Sequence, residues 1–507
     1  MSRRTDYVSF LGPPRDRNRD FAGLESRVAL RVFVIPALIV SLVTVSVYWY
    51  ALRDDNEDTG RVLTLADARI PSVLLPSGAA TDDAGLLLAG VSIDCEEEVT
   101  EWSAFQGSAT HQGCFTAPTI SENNATIEWR VAMGVGGWLN SPLIVGDNVI
   151  IGSAGRAVGT EDARDGVYAF NLYTGEQEWF FGATLDVNGV GYGNGIVIAT
   201  GDEGQVWGID AQDGSLVWAE AVGVATFGYP LVLEEENLVV VGDADGVASA
   251  YNLRNGALLW TAKVDGPIRG GAASDGEMIV VAGENREVLA LDLGGDQLWR
   301  VKVTGRDTAG ALVRVWAAPT LVRDLVVITL LREDTYVNPA VMALNKSDGT
   351  VAWYSEDRAG IKNDWGSIRS SVAAVGDILV YGEPYSNRLV AIDIESGETT
   401  WDVETGAYCY PHWPSPAVVS GQVILPRHDG GLYAVSVETQ TVVWSIYLGD
   451  STSAGTFPAS FTAGAFCDWA PTEGYSILAS PAIAPNGYII VPTLEGYLVA
   501  VADRSWG

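Results

Sequence analysis

Hydrophobic and polar positions along this chain follow a pattern that repeats. Tyr168-Ala169-Phe170-Asn171 … Gly175 … Trp179 recurs as Trp207-Gly208-Ile209-Asp210 … Gly214 … Trp218, then as Ser249-Ala250-Tyr251-Asn252 … Gly256 … Trp260. Further copies end at Trp299, Trp353, Trp401 and Trp444, the last with Gln440 where Gly is expected, and Leu498-Val499-Ala500-Val501 opens a final one. Each copy predicts a strand, a tight turn and a second strand. The Asp or Asn opens the turn by hydrogen-bonding nearby backbone, and the Gly accepts a positive φ. Upstream lies another pair of short apolar runs, such as Ser141–Val145 and Val149–Ile151 around Gly146-Asp147-Asn148. Four short strands per repeat is the make-up of a propeller blade.

Tryptophans count the blades. Trp129, Trp179, Trp218, Trp260, Trp299, Trp353, Trp401 and Trp444 are spaced by 50, 39, 42, 39, 54, 48 and 43 residues, one blade each. The chain after Trp444 supplies three more strands, and Thr126–Val131 is left to complete them. The predicted fold is all-β: an eight-bladed β-propeller of four-stranded blades, closed by N- and C-terminal strands, with one N-terminal transmembrane helix. Regular recurrence marks these eight Trp as wedges between blades, not as ligand platforms.

Charge divides the chain. Residues 1–31 carry seven Arg and four acids, a net of +3 within a total of −34, so the remainder carries −37. Between them, residues 32–52 contain an uncharged apolar run ending in Tyr48-Trp49-Tyr50. Nineteen helical residues reach roughly 28 Å, the depth of a hydrocarbon core. Arginines before the run and acids after it predict a cytoplasmic basic tail (1–31), a single-pass membrane span (32–52), an acidic tether (53–100) and a propeller outside the cytoplasm (101–507). A cleaved signal peptide is the competing reading; the run is long for one, and Trp49 and Ala51 make a poor cleavage site.

The acidity argues against nucleic acid as a partner. Three His and four Cys leave little for metal or haem ligation. Outside the cytoplasm, four cysteines suggest two disulfides. Of three connectivities, Cys95–Cys114 with Cys409–Cys467 is the expected one. Asp243-Ala244-Asp245-Gly246 resembles the start of a calcium loop, but an ordinary hairpin turn is the plainer expectation.

The pattern Ala-aliphatic-Asp/Asn-x-x-x-Gly-x-x-x-Trp resembles the repeat signature of the pyrroloquinoline-quinone-like (PQQ-like) propeller family. Trp102, Phe105, Gly107, His111 and Gly113 resemble that family's opening segment, so the likeness covers about residues 102–507. It implies two functional classes. Quinoprotein dehydrogenases hold PQQ and calcium on the propeller axis, beneath vicinal cysteines and beside an acid cluster. Non-enzymatic propellers include the lipoprotein of the outer-membrane barrel-assembly machinery. No two cysteines are adjacent here, so the chain resembles the binding class. A barrel-assembly role is not implied by the repeat itself.

Loop lengths select a face. The long connections join second to third strands or one blade to the next, and both kinds emerge on the same side. They are expected to deliver Trp138, Tyr192, Tyr229, Arg269, Trp316, Arg369, His412 and Trp413 to the channel mouth, the residue types enriched at recognition sites. Plugging of the funnel is the plainer role for these aromatics. The expectation is a membrane-anchored, non-catalytic binding or scaffold module with a protein or cell-surface partner and no cofactor. The alternatives are a PQQ- and calcium-dependent dehydrogenase or a small-ligand sensor.

Overall fold

The computed structural model describes residues 92–97, 99–136, 140–156, 158–303, 313–332, 339–356, 370–383, 387–406, 414–427, 429–449 and 477–506. The expected tail and span, and the tether to residue 91, lie outside them. Among the described residues, no helix is long and apolar enough to cross a membrane.

Eight antiparallel sheets form the blades. The first holds Leu143–Val145, Asn148–Ala154, Asp165–Asn171 and Gln177–Gly182. Blades two to seven repeat this order inner to outer, with inner strands beginning at Val187, Leu231, Ala272, Thr320, Ala373 and Ala417. The eighth takes Ala482–Ile483, Ile489–Pro492 and Tyr497–Asp503 from the C-terminal end and Ala125–Ala132 from before the first blade. The predicted closure from both directions is therefore present, and it removes the open edge that a broken ring would expose.

The repeat signature has a structural cause. In every blade its small residue lies directly across from the Trp: Ala169 faces Trp179, Gly208 faces Trp218, Ala250 faces Trp260, and Ala500 faces Trp129. A register shift accompanies the pair in each blade, as between Ala250 and Tyr251. The bulge turns the indole inward against the next blade. There, in six blades, its Nε1–H donates to a backbone carbonyl of the following repeat, as Trp179 to Ala211, Trp218 to Leu253 and Trp353 to Ile394, whereas Trp444 donates to the Gln422 side chain of its own blade. In those six the turn glycine of the following repeat sits on the indole face. A Cβ on Gly256 would lie 2.6 Å from the Trp218 ring.

Residues before the first blade do not merely lead into it. Segment 102–113 curls around the propeller axis and accepts backbone hydrogen bonds from the inner strands of six blades. Ile144 donates to Trp102, Tyr192 to Ser103, Ser274 to Ala109, Leu321 to Thr110, Ala374 to Gln112 and Val418 to Gly113, all at 2.7–3.1 Å. Cys114–Phe115 then adds a parallel strand inside Ala417–Val419. Ser274 ends its strand, and Ser420, in the turn after the seventh inner strand, donates to Phe115. The segment thus closes the channel at the short-turn end. Cys95 is disulfide-bonded to Cys114, and Glu97 accepts from Ser108 at 2.7 Å and from Thr110.

Candidate partner-binding face

The opposite end carries the long connections. Here the inner strands begin so close together that backbone meets backbone. A Cβ on Gly228 would come within 2.3 Å of Gly271 N, and one on Gly270 within 2.0 Å of Ala318 N. Serines continue the contact round the axis. Ser371 Oγ donates to the Ala318 carbonyl (2.8 Å), the Ser371 N–H to Ser415 Oγ (2.9 Å) and the Ser415 N–H to Ser480 Oγ (2.9 Å).

Two expected face residues lie deeper than the sequence suggested. Tyr229 is buried in this throat. Its ring stacks on Phe105 of the plug with centroids 3.9 Å apart, its hydroxyl lies 3.2 Å from Ser141 Oγ, and burial pushes its pKa up. It fills the channel. Tyr192 lies within the second inner strand, Val187–Gly193, near the plug end. The loop from blade one ends at Asp186, because this inner strand is seven residues long where most have three. His111, in the plug, is also buried. Its Nδ1 lies 3.0 Å from the Pro319 carbonyl, and burial lowers its pKa to about 4, so the ring is neutral near pH 7.

Arg269 and Trp316 do meet at the loop face. The Arg269 guanidinium lies 4.4 Å from the Phe227 ring centroid and 5.3 Å from that of Trp316. Its Nε pairs with Glu284 at 2.9 Å, and Arg314 pairs with the other oxygen of the same carboxylate. Both Arg314 and Trp316 are delivered by the connection into blade five. Its strand Val313–Val315 pairs with the far end of Leu325–Arg332, an eight-residue second strand where other blades have four to seven. Blade five thus rises above its neighbours on this face. Trp138, Arg369, His412 and Trp413 lie outside the described residues, as do Cys409 and Cys467.

Sequence reasoning missed Phe227, Glu284 and Arg314. A signal existed for the acid. Glu284 follows Gly283 at the end of a second strand, as Asp202 follows Gly201, Asp243 follows Gly242 and Glu383 follows Gly382. The repeat register therefore marks an acid on the loop face in four blades. Asp243 spends its carboxylate on its own hairpin: Oδ1 accepts from the N–H groups of Asp245 (2.9 Å) and Val247 (2.8 Å).

Two more carboxyls hold the long loop of blade one. Asp165 Oδ2 accepts from the Asp162 N–H, and Asp186 Oδ2 from the Gly159 N–H, both at 2.7 Å. Burial, reinforced by neighbouring acids, raises Asp165 to about 6 and Asp186 to about 7. Among the described residues, no group of three or more His, Cys, Asp or Glu is placed to hold a metal ion.

Comparison with known proteins agrees with the repeat. A family model described as "Outer membrane protein assembly factor BamB" matches residues 163–266 and 244–408. The outer membrane protein assembly factor BamB of Yersinia pestis is 23% identical over 305 residues, covering 56% of this chain and 72% of that protein. BamB from Moraxella catarrhalis superimposes with a TM-score of 0.53 at 15% identity, over 74% of this chain and 97% of that one. A europium-containing methanol dehydrogenase superimposes with a TM-score of 0.58 at 15% identity, over 79% and 98%. The resemblance to PQQ-like propellers is thereby shown. The two structural likenesses speak for the fold alone, since an enzyme and an assembly factor share it.

Proposed function

We propose that this PQQ-like propeller is a membrane-tethered, extracytoplasmic scaffold that binds a protein partner through its long-loop face and catalyses no reaction. One observation carries the reading: the two ends of the ring are built for different work. The short-turn end is filled by the chain's own plug. The loop end raises an extra strand in blade five and gathers Arg269, Arg314, Glu284, Phe227 and Trp316 beside it. Cations are scarce in a chain with 30 Lys and Arg against 64 Asp and Glu, so two on one carboxylate give this face local character. Aromatic and Arg side chains on a rigid base suit protein recognition. The named relatives are assembly factors, which supports a scaffold role, and the apolar run at 32–52 supports the tether.

The sequence has no vicinal cysteines, and no described acid cluster fits a calcium ion. Cross-linking mass spectrometry on the full chain in its native membrane tests the reading. Arginine-directed cross-links to another protein are expected at Arg314 and at Arg164 of the blade-one connection between Ala154 and Asp165, and those at Arg164 are expected to fall severalfold with Arg314→Glu. Dye-linked dehydrogenase activity after addition of PQQ and calcium, or partner cross-links confined to the short-turn end, would overturn it.

A further inference from the structure

The outer wall of the ring carries a second surface, distinct from the loop face. Outer strands of a propeller are edge strands, and soluble proteins ordinarily keep large apolar side chains off them. Here Leu216 and Val217 of blade two are 54% and 46% exposed, Leu258 and Leu259 of blade three 58% and 53%, and Leu298 of blade four 53%. The matching positions of blade six are Thr399 and Thr400. The bulge that turns each Trp inward is what puts two consecutive residues outward: Tyr251 pairs with Leu258 and Ala250 with Trp260, leaving Leu259 unpaired between them.

The exposed residues form one band. A Cβ on Gly256 would lie 2.6 Å from the Trp218 ring and 3.2 Å from Glu220, so the turn that leads to Leu258 rests on the outer strand of blade two. Gly295 meets Trp260 in the same way ahead of Leu298, and Arg300 Nη1 donates to the Lys263 carbonyl at 3.0 Å. The band is also divided by charge. The blade-two strand Leu216–Ala221 has Glu220 as its charged residue. Strands Leu258–Lys263 and Gln297–Lys302 contribute Lys263, Arg300 and Lys302 and no acid. Arg300 pairs with Glu287 at 2.7 Å and Lys302 with Asp265 at 2.8 Å, so this half keeps a net charge of about one positive.

We propose that this band is the interface with a second copy of the chain, the two copies related by a two-fold axis. Two copies of a molecule with a net charge of −34 repel. Association therefore favours the wall where cations gather. A two-fold sets Glu220 of one copy against the Lys263 side of the band on the other, twice over, and buries the leucines between them. Exposed apolar residues at this density mark an interaction surface, and the acid-beside-base layout selects a copy of itself as the occupant.

The test is the mass of the purified full chain in detergent micelles, by light scattering with the detergent contribution subtracted, at tens of micromolar. The wild type is expected to be dimeric. The double variant Leu216→Glu, Leu258→Glu is expected to weaken the dimer at least tenfold, while Leu258→Met retains it. These side chains are half exposed, so melting temperatures should agree within a few degrees. An independent arm needs no destabilising change: Leu258→Cys should cross-link to Cys at Leu216→Cys on a differently tagged copy. A monomeric wild type, a dimer indifferent to the Glu pair, or no heterologous cross-link would each overturn the proposal.

Discussion

At the residue scale, glycine carries two separate burdens here, and they can be told apart. Gly256 has φ +71° and lies against Trp218, where a Cβ would approach to 2.6 Å. Gly146 has φ +55° in the first turn of blade one, and a Cβ there would meet nothing within 4 Å. Alanine at Gly146 bears only the left-handed backbone cost, about 1–2 kcal/mol. Alanine at Gly256 adds an overpacked indole, about 1–3 kcal/mol more. Denaturant unfolding should therefore rank Gly256→Ala below Gly146→Ala, with unchanged slopes. Equal losses would show that the indole is not held against its turn. The same contact explains why the signature was legible: a small residue lies across from Trp in every copy and a Gly on the Trp face in six of them, so the requirement is written repeatedly. Tyr192 and Tyr229 have no such repeat behind them: a longer inner strand carries Tyr192 away from the expected mouth, and stacking on Phe105 buries Tyr229 in the throat.

At the element scale, the blade-one loop between Ala154 and Asp165 is held at Gly159 and Asp162 by two carboxyls, Asp186 and Asp165. Asp186 and Asp165 are raised above the ordinary Asp range by burial. Asp202 and Asp165 bear on Asp186; Asp162, Glu203 and Glu161 bear on Asp165. Asn188 faces Asp202 from the second inner strand, Arg156 pairs with Asp162, and Arg269 acts on Asp202 from the next connection. The sign follows from the direction. A carboxyl raised on folding gives its full contribution below its unfolded pKa near 4 and loses it as pH rises through 6 and 7. Thermal stability should thus decline between pH 4 and pH 7.5 by a few kcal/mol from this pair, and Asp186→Asn should flatten the decline and melt higher than wild type at pH 7.5. A variant that keeps the full slope would exclude Asp186 as its source. None of this was visible in the sequence, where the stretch reads only as a long acidic loop. The blade count was visible because strands announce themselves by alternation and turns. The plug was not, because it is held by backbone groups that any sequence possesses. Its traces were Gly107 and Gly113, at φ +86° and +68°, and those read as a family opening.

At the scale of the whole molecule, ring closure and the plug make the propeller one cooperative body. The stretch from Trp102 to Ala132 bonds the inner strands of six blades, stacks Phe105 on Tyr229 ahead of blade three and supplies the outer strand of the eighth, so no blade can leave without disturbing it. The Cys95–Cys114 bridge spans 19 residues and encloses most of the plug. Closing a loop of that size restricts the unfolded chain by about 3 kcal/mol. Over roughly 400 ordered residues, an unfolding entropy of about 2.1 cal/mol/K per residue turns this into a fall of about 3–4 °C in melting temperature. The paired variant Cys95→Ser, Cys114→Ser should show that shift in calorimetry while keeping a single transition, because the backbone bonds of the plug remain and still link the blades. If the variant instead unfolds in two separated steps, the bridge, and not the hydrogen-bonded plug, is what joins the ring into a unit, and the division of labour between its two ends would rest on a covalent latch.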